Sequence, residues 1–190
     1  MDFKVRVRHL LKGKYVNLKS FTPLTFTFPE LLKIQGMHEF ITDNGNIYPD
    51  LVKSFLNHFT LNLNDNDKHM LFATVRDCEI ETNLGMLAAS LRIPYSGIFL
   101  RKGVNHVDGK WAKYDKMEYY YSICRFPRVV IVSGQRTSRT LCYAKILSVD
   151  DRMLHYVICH VLLPKDSNLS QIDDLEMQVM FAVKNKIKVN

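Results

Sequence analysis

No window of this chain approaches the roughly 18 uninterrupted apolar residues that a transmembrane helix needs. The valine-rich run Val129 to Val132 is far too short. Residues 1–20 have no apolar core of the kind a secretory signal carries, because charge interrupts them throughout. The cysteines, Cys78, Cys124, Cys142 and Cys159, form no C-x-x-C pair. That spacing argues against a zinc ribbon or a dithiol redox motif and fits a reducing compartment. An intracellular setting, nuclear or cytoplasmic, is the expectation. G-x-S-x-G, Gly-rich phosphate loops, H-E-x-x-H and aspartic-protease signatures are all missing. No enzymatic activity, catalytic residue, cofactor or metal is therefore expected.

What is present is ordinary globular material, 47% hydrophobic and 24% charged, enough to bury a core without staples. Charge is the uneven property. The net charge is +7, and residues 101–145 hold ten Lys and Arg against three Asp and Glu. A basic segment attracts polyanions, although such a run is often only a solvated face.

The periodicities predict a mainly α fold with a small β-hairpin, an α+β arrangement of several helices packed compactly. Residues 1–20 read as a basic N-terminal arm, with period-two alternation over Phe3, Val5 and Val7. Residues 21–190 read as a single helical domain with the hairpin near 60–81. The chain ends in a basic-apolar pattern, as a piece of a longer protein would. Phe21 to Phe28 suit an extended segment lying on the core. Pro29 opens a helix running to about residue 41, weakened at Gly36.

The stretch Ile47 to Ile93 carries the cleanest signals and reads as the unit around which the rest is organised. Pro49 opens a helix with Leu51, Val52, Phe55, Leu56 and Phe59 inward. Leu61 and Leu63 begin a hairpin with a polar tip at residues 65–68. Met70 to Ile80 return as a strand with a register change near Arg76-Asp77. Thr82 or Asn83 caps the next helix, which Pro94 stops. Beyond it, a helix beginning at Trp111 ends at Pro127. Val129 to Val132 suit a short buried strand or collapsed coil. A helix is expected from Thr137 through Leu147, another from Ser148 or Asp150 to Pro164, and a last one capped by Ser170. Leu175, Val179, Met180 and Val183 form the core side of that last helix.

Three constellations bear on chemistry. His155 and Cys159, four apart, share a helix face, whereas His155 and His160 lie about 140° apart around the axis. A metal site from His155 and Cys159 lacks identifiable partners, so both read as core residues. Asp150-Asp151 and Asp173-Asp174 sit at helix starts, where the dipole explains them. Finally, the segment from Arg101 to Lys145 interleaves cations with Trp111, Tyr114, Tyr119, Tyr120, Tyr121, Phe126 and Tyr143. Its candidate nucleic-acid contacts are Arg101, Lys102, Lys110, Trp111, Lys113, Arg125, Arg128, Arg136 and Arg139, with aromatics stacking bases and cations meeting phosphates. A solvated charge face over core aromatics explains the same pattern. Nucleic acid, another protein and a second copy of the chain all remain open as partners.

Several landmarks fall in a familiar order. They are Pro29-Glu30-Leu31-Leu32 with Gln35-Gly36, Tyr48-Pro49-Asp50-Leu51-Val52-Lys53-Ser54-Phe55, Val75 to Ile80, Leu91-Arg92-Ile93-Pro94-Tyr95-Ser96-Gly97, and Met153 to Pro164. This set resembles the plant transposon protein domain family, found in legumes and in retroelement-derived, "envelope-like" reading frames. Met37 departs from the tryptophan that pattern carries after the glycine. The resemblance implies a non-enzymatic structural or interaction domain derived from a retrotransposon, with no catalytic residue to carry over. The alternative is a nucleic-acid-binding module built on residues 101–145.

Overall fold

Helix α8, Asp174–Lys184, is the axis of the molecule: Glu176 and every residue from Met177 to Val183 are buried. A helix buried on all sides, mostly through apolar residues, belongs inside a core rather than on its surface. The computed structural model describes residues 13–62, 70–98, 100, 111, 113–133, 141–165 and 167–189. Within them lie α1 (Phe28–Ile34), α2 (His38–Thr42), α3 (Pro49–Asn57), α4 (Leu84–Ser90), α5 (Lys116–Ile123), α6 (Arg128–Ser133), α7 (Val149–Val157) and α8. A single antiparallel sheet joins β1 (Thr60–Asn62), β2 (Met70–Val75) and β3 (Cys78–Asn83) in that order. The fold is therefore mainly helical α+β, as the periodicities predict. No described helix is long and apolar enough to cross a membrane.

Helices α1, α5 and α7 pack on α8. Phe181 is ringed by Trp111, Tyr114 and Tyr119, with centroids 6.0, 5.0 and 5.1 Å away. Phe21, Phe26 and Phe28 add an edge-to-face cluster beside α1. Each fully buried side chain of this size contributes about 1.5–3 kcal/mol. The aromatic segment before α1 thus lies on the core, as expected, but it is not extended: residues 23–25 form a turn in which Thr25 and Phe26 N–H both donate to Thr22 O at 3.0 Å.

The stretch Ile47 to Ile93 is not the centre. Among the described residues, none between Ile41 and Ile98 belongs to the main core cluster. Instead α3, the sheet and α4 form a side unit with its own few buried residues, Leu71, Ala73 and Ala88. Helix α3 covers one face of β2. The unit is tied back by Ile98 N–H donating to Lys188 O at 2.9 Å and by an Arg92–Glu39 ion pair at 3.4 Å.

Local differences from the sequence reading have local causes. The first helix is two, because Gly36 takes a φ of +78° between α1 and α2. The return strand is also two. Arg76 and Asp77 both have positive φ, and Val75 pairs directly with Cys78, so a two-residue turn reverses the chain. Residues 65–68, the expected tip, lie outside the described residues. Asn83 caps α4 by accepting Met86 N–H at 2.9 Å. The helix at Trp111 starts later, at Lys116, where Asp115 accepts from Met117 and Glu118 N–H.

Val129 to Val132 form neither a strand nor coil but part of α6. Pro127 O starts that helix by accepting from Val130 and Ile131 N–H at 3.0 and 3.2 Å. Of its four apolar residues only Ile131 turns inward. Residues 141–147 are not helical through Leu147: the chain makes a 3-10 turn at Ala144–Ile146, flanked by bridges to Gln171 and Cys124. Thr137, where that helix was to begin, lies outside the described residues. The cap of α8 is Asp173 rather than Ser170. Asp173 forms a reciprocal capping box with Glu176, and two satisfied donors outweigh one hydroxyl.

Candidate functional site: a buried ionic cluster beneath a cleft

Helix α7 begins on Ser148, whose hydroxyl accepts Asp151 N–H at 3.1 Å. Its adjacent acid Asp150 points elsewhere. It accepts Thr27 and Phe28 N–H at 3.0 and 3.2 Å, together with the Thr27 hydroxyl, and so caps α1 from outside. Asp151 faces α8 and pairs with Lys184 at 2.8 Å. The two acids are thus both structural, one for each neighbouring helix. After Val157 the helix widens into a π turn, Ile158–Leu162, closed by Leu163 N–H donating to Ile158 O at 2.7 Å. Such turns are frequent at functional sites.

The π turn and α8 enclose the most concentrated polar chemistry in the described core. His155 and Glu176 are 2% and 1% exposed, and His155 Nε2 lies 3.1 Å from Glu176 Oε2. Lys165, just past the π turn, places Nζ 2.7 and 2.9 Å from the two carboxylate oxygens. The same ammonium donates to Gln171 O at 2.7 Å. Asp173 N–H donates to Glu176 Oε2 at 3.0 Å, completing the capping box. Burial alone would push the Glu176 carboxyl up. Hydrogen bonds from His155, Lys165 and the Asp173 backbone outweigh that and hold it below the usual carboxylate range.

Cys159 lies one turn after His155 and is 1% exposed. Burial, then the Glu176 charge, raises its thiol above the ordinary value. It is a neutral thiol donating toward Tyr156 O at 3.5 Å. His155, Cys159 and Glu176 each offer a ligand atom within 4.8 Å of the other two. Cys159, His160 and Lys165 also line a cleft of about 1120 Å³, together with Lys14 and Arg92. There His160 Nδ1 accepts from Lys14 Nζ at 2.8 Å. Burial and then Lys14 lower the pKa of that imidazole, favouring its neutral form.

The cations proposed for nucleic-acid contact are placed differently from one another. Arg101, Lys102, Lys110, Arg136 and Arg139 lie outside the described residues. Trp111 does not face solvent. At 3% exposure it packs against Tyr114 and Phe181, so it has no free face for a base. Tyr114 and Tyr120 are buried as well, Tyr114 against Phe181 of α8 and Tyr120 with its hydroxyl accepting Tyr143 N–H at 2.7 Å. Lys113 is exposed. Arg125 and Arg128 meet at the corner between α5 and α6. Arg125 donates to Lys145 O at 2.7 Å and lies over the Phe126 ring. Arg128 donates to Glu118 Oε1 at 2.6 Å and lies over Tyr121.

Sequence reasoning paired His155 with Cys159 and stopped there. Glu176 and Lys165 complete the cluster, and only the D-x-x-E spacing of Asp173 and Glu176 signalled either of them in advance. Compared with protein-family models, curated proteins and solved structures, the chain matches none.

Proposed function

We propose that this chain is a non-enzymatic interaction domain that associates with a second copy of itself through α6. The observation carrying this reading is the outer face of that helix. Val129, Val130 and Val132 on the helix, with Phe126 just before it, are 79%, 55%, 49% and 46% exposed. Several large apolar side chains left exposed within seven residues mark an interaction site better than single scattered ones do. The flank of this face carries Arg128 and Glu118, which neutralise each other within the chain and so set up no like-charge repulsion against a second copy related by a two-fold axis. A patch this small suits a weak contact rather than an obligate one. The polar cluster supports the non-enzymatic part: its thiol is neutral, the opposite of an activated nucleophile. The plant transposon resemblance and an intracellular setting, nuclear or cytoplasmic, belong to the same proposal.

Sedimentation velocity across a concentration series tests it. The wild-type sedimentation coefficient rises with concentration, and Val129→Lys with Val130→Lys abolishes the rise while the fold persists. A wild-type chain that stays strictly monomeric refutes it. The alternative, nucleic-acid binding, draws support from the exposed Arg125 and Arg128 corner. It requires affinity that falls steeply with salt and weakens several-fold in Arg125→Glu with Arg128→Glu.

A further inference from the structure

We infer that His155, Cys159 and Glu176 bind a zinc-class divalent ion, with the Lys165 ammonium holding the ion's place when it is absent. This site is independent of the α6 contact. Three features carry the inference. First, the donor set is chemically selective. An imidazole, a thiol and a carboxylate together suit zinc, since the soft sulfur disfavours magnesium and calcium.

Second, the geometry is close to what the ion requires. Nitrogen and oxygen ligands about 2.0–2.2 Å from a tetrahedral zinc lie roughly 3.3 Å from each other. His155 Nε2 and Glu176 Oε2 are 3.1 Å apart. All three donor atoms lie within 4.8 Å of one another, so a side-chain rotation brings the sulfur in. The π turn helps here, because Cys159 sits in it, one turn beyond His155.

Third, a positive charge already sits against one of the three donors, the Glu176 carboxylate. Lys165 Nζ touches both carboxylate oxygens, yet its side chain is 20% exposed and borders the cleft. It can withdraw toward solvent as the ion enters. The Cys159 proton leaves to water as the thiolate ligates. The cleft, which Cys159 lines, gives the ion a path in from solvent.

Cobalt(II), titrated into the folded protein, is the probe. Cys78 is exposed and is first changed to Ala to remove a competing thiol. The expected result is a single bound ion per chain with thiolate-to-cobalt charge-transfer absorption and tetrahedral d–d bands. Cys159→Ala, a small change at a buried position, removes the charge-transfer band while circular dichroism stays native. Lys165→Met raises cobalt affinity about 10- to 100-fold, the worth of one charge-assisted hydrogen bond no longer competing. Absence of the band in the folded parent, or its survival in Cys159→Ala, overturns the site. An unchanged affinity in Lys165→Met overturns the claim that ammonium and ion share the carboxylate.

Discussion

Replacing Glu176 with Gln should destabilise the protein far more than its small change in shape suggests. Gln keeps the volume and an oxygen for the Asp173 N–H, so the capping box persists in part. What disappears is the charge facing His155 and Lys165. Each charge-assisted hydrogen bond contributes about 1.5–3 kcal/mol. Lys165 is 20% exposed and recovers some hydration, which offsets part of its share. His155, at 2%, recovers none. The net loss is about 3 kcal/mol, in line with the roughly 3–5 kcal/mol of a broken buried pair. For a chain of this size that lowers Tm by about 6–12 °C. Urea unfolding followed by circular dichroism measures it. The double variant with Lys165→Met should lose less than the two single variants together, with a coupling of about 1–3 kcal/mol. A Glu176→Gln loss below about 0.5 kcal/mol, the range of an ordinary surface change, would refute the reasoning.

Two further outcomes follow from the same geometry. The folded pKa of Glu176 is depressed, so its contribution is fully present above the unfolded value of about 4.3 and fades as pH falls through the lower folded value. Urea midpoints should therefore drop below about pH 4 in the wild type, with a shallower drop in Glu176→Gln; parallel curves would contradict this. Gly36→Ala should destabilise by about 1–2 kcal/mol or more, because φ is +78° and a Cβ would lie 2.6 Å from Pro94 Cγ. An unchanged urea midpoint would contradict that.

Helix starts with a local chemical cause were legible in the sequence. Pro29 and Pro49 sit in the first turns of α1 and α3, and Asn83 and Ser148 cap α4 and α7 where expected. Features needing a second, distant residue were not legible. The reversal at Arg76-Asp77 lacks the Asn-Gly or Asp-Gly that normally announces such a turn, so two strands read as one. The valines of α6 favour strands by propensity, and Pro127 with the Arg128–Glu118 pair overrides them.

The sequence pattern puts Leu175, Val179, Met180 and Val183 on one side of α8. Met177, Phe181 and Ala182 fill its other faces and show that it is surrounded. The stretch from Ile47 to Ile93 has clear punctuation because it folds mostly on local contacts. That same locality puts it outside the main core. In the polar cluster, Glu176 stands 21 residues from His155, beyond the reach of any spacing rule.

Native-state hydrogen exchange tests the central claim most directly, namely that α8 with its Glu176 cluster is the organising element and the α3–sheet–α4 unit is peripheral. Amides of Met177 to Val183 should exchange only through global unfolding, and those of β2 and β3 through a cheaper local opening. Sheet amides as protected as those of α8, or α8 amides exchanging first, would contradict it.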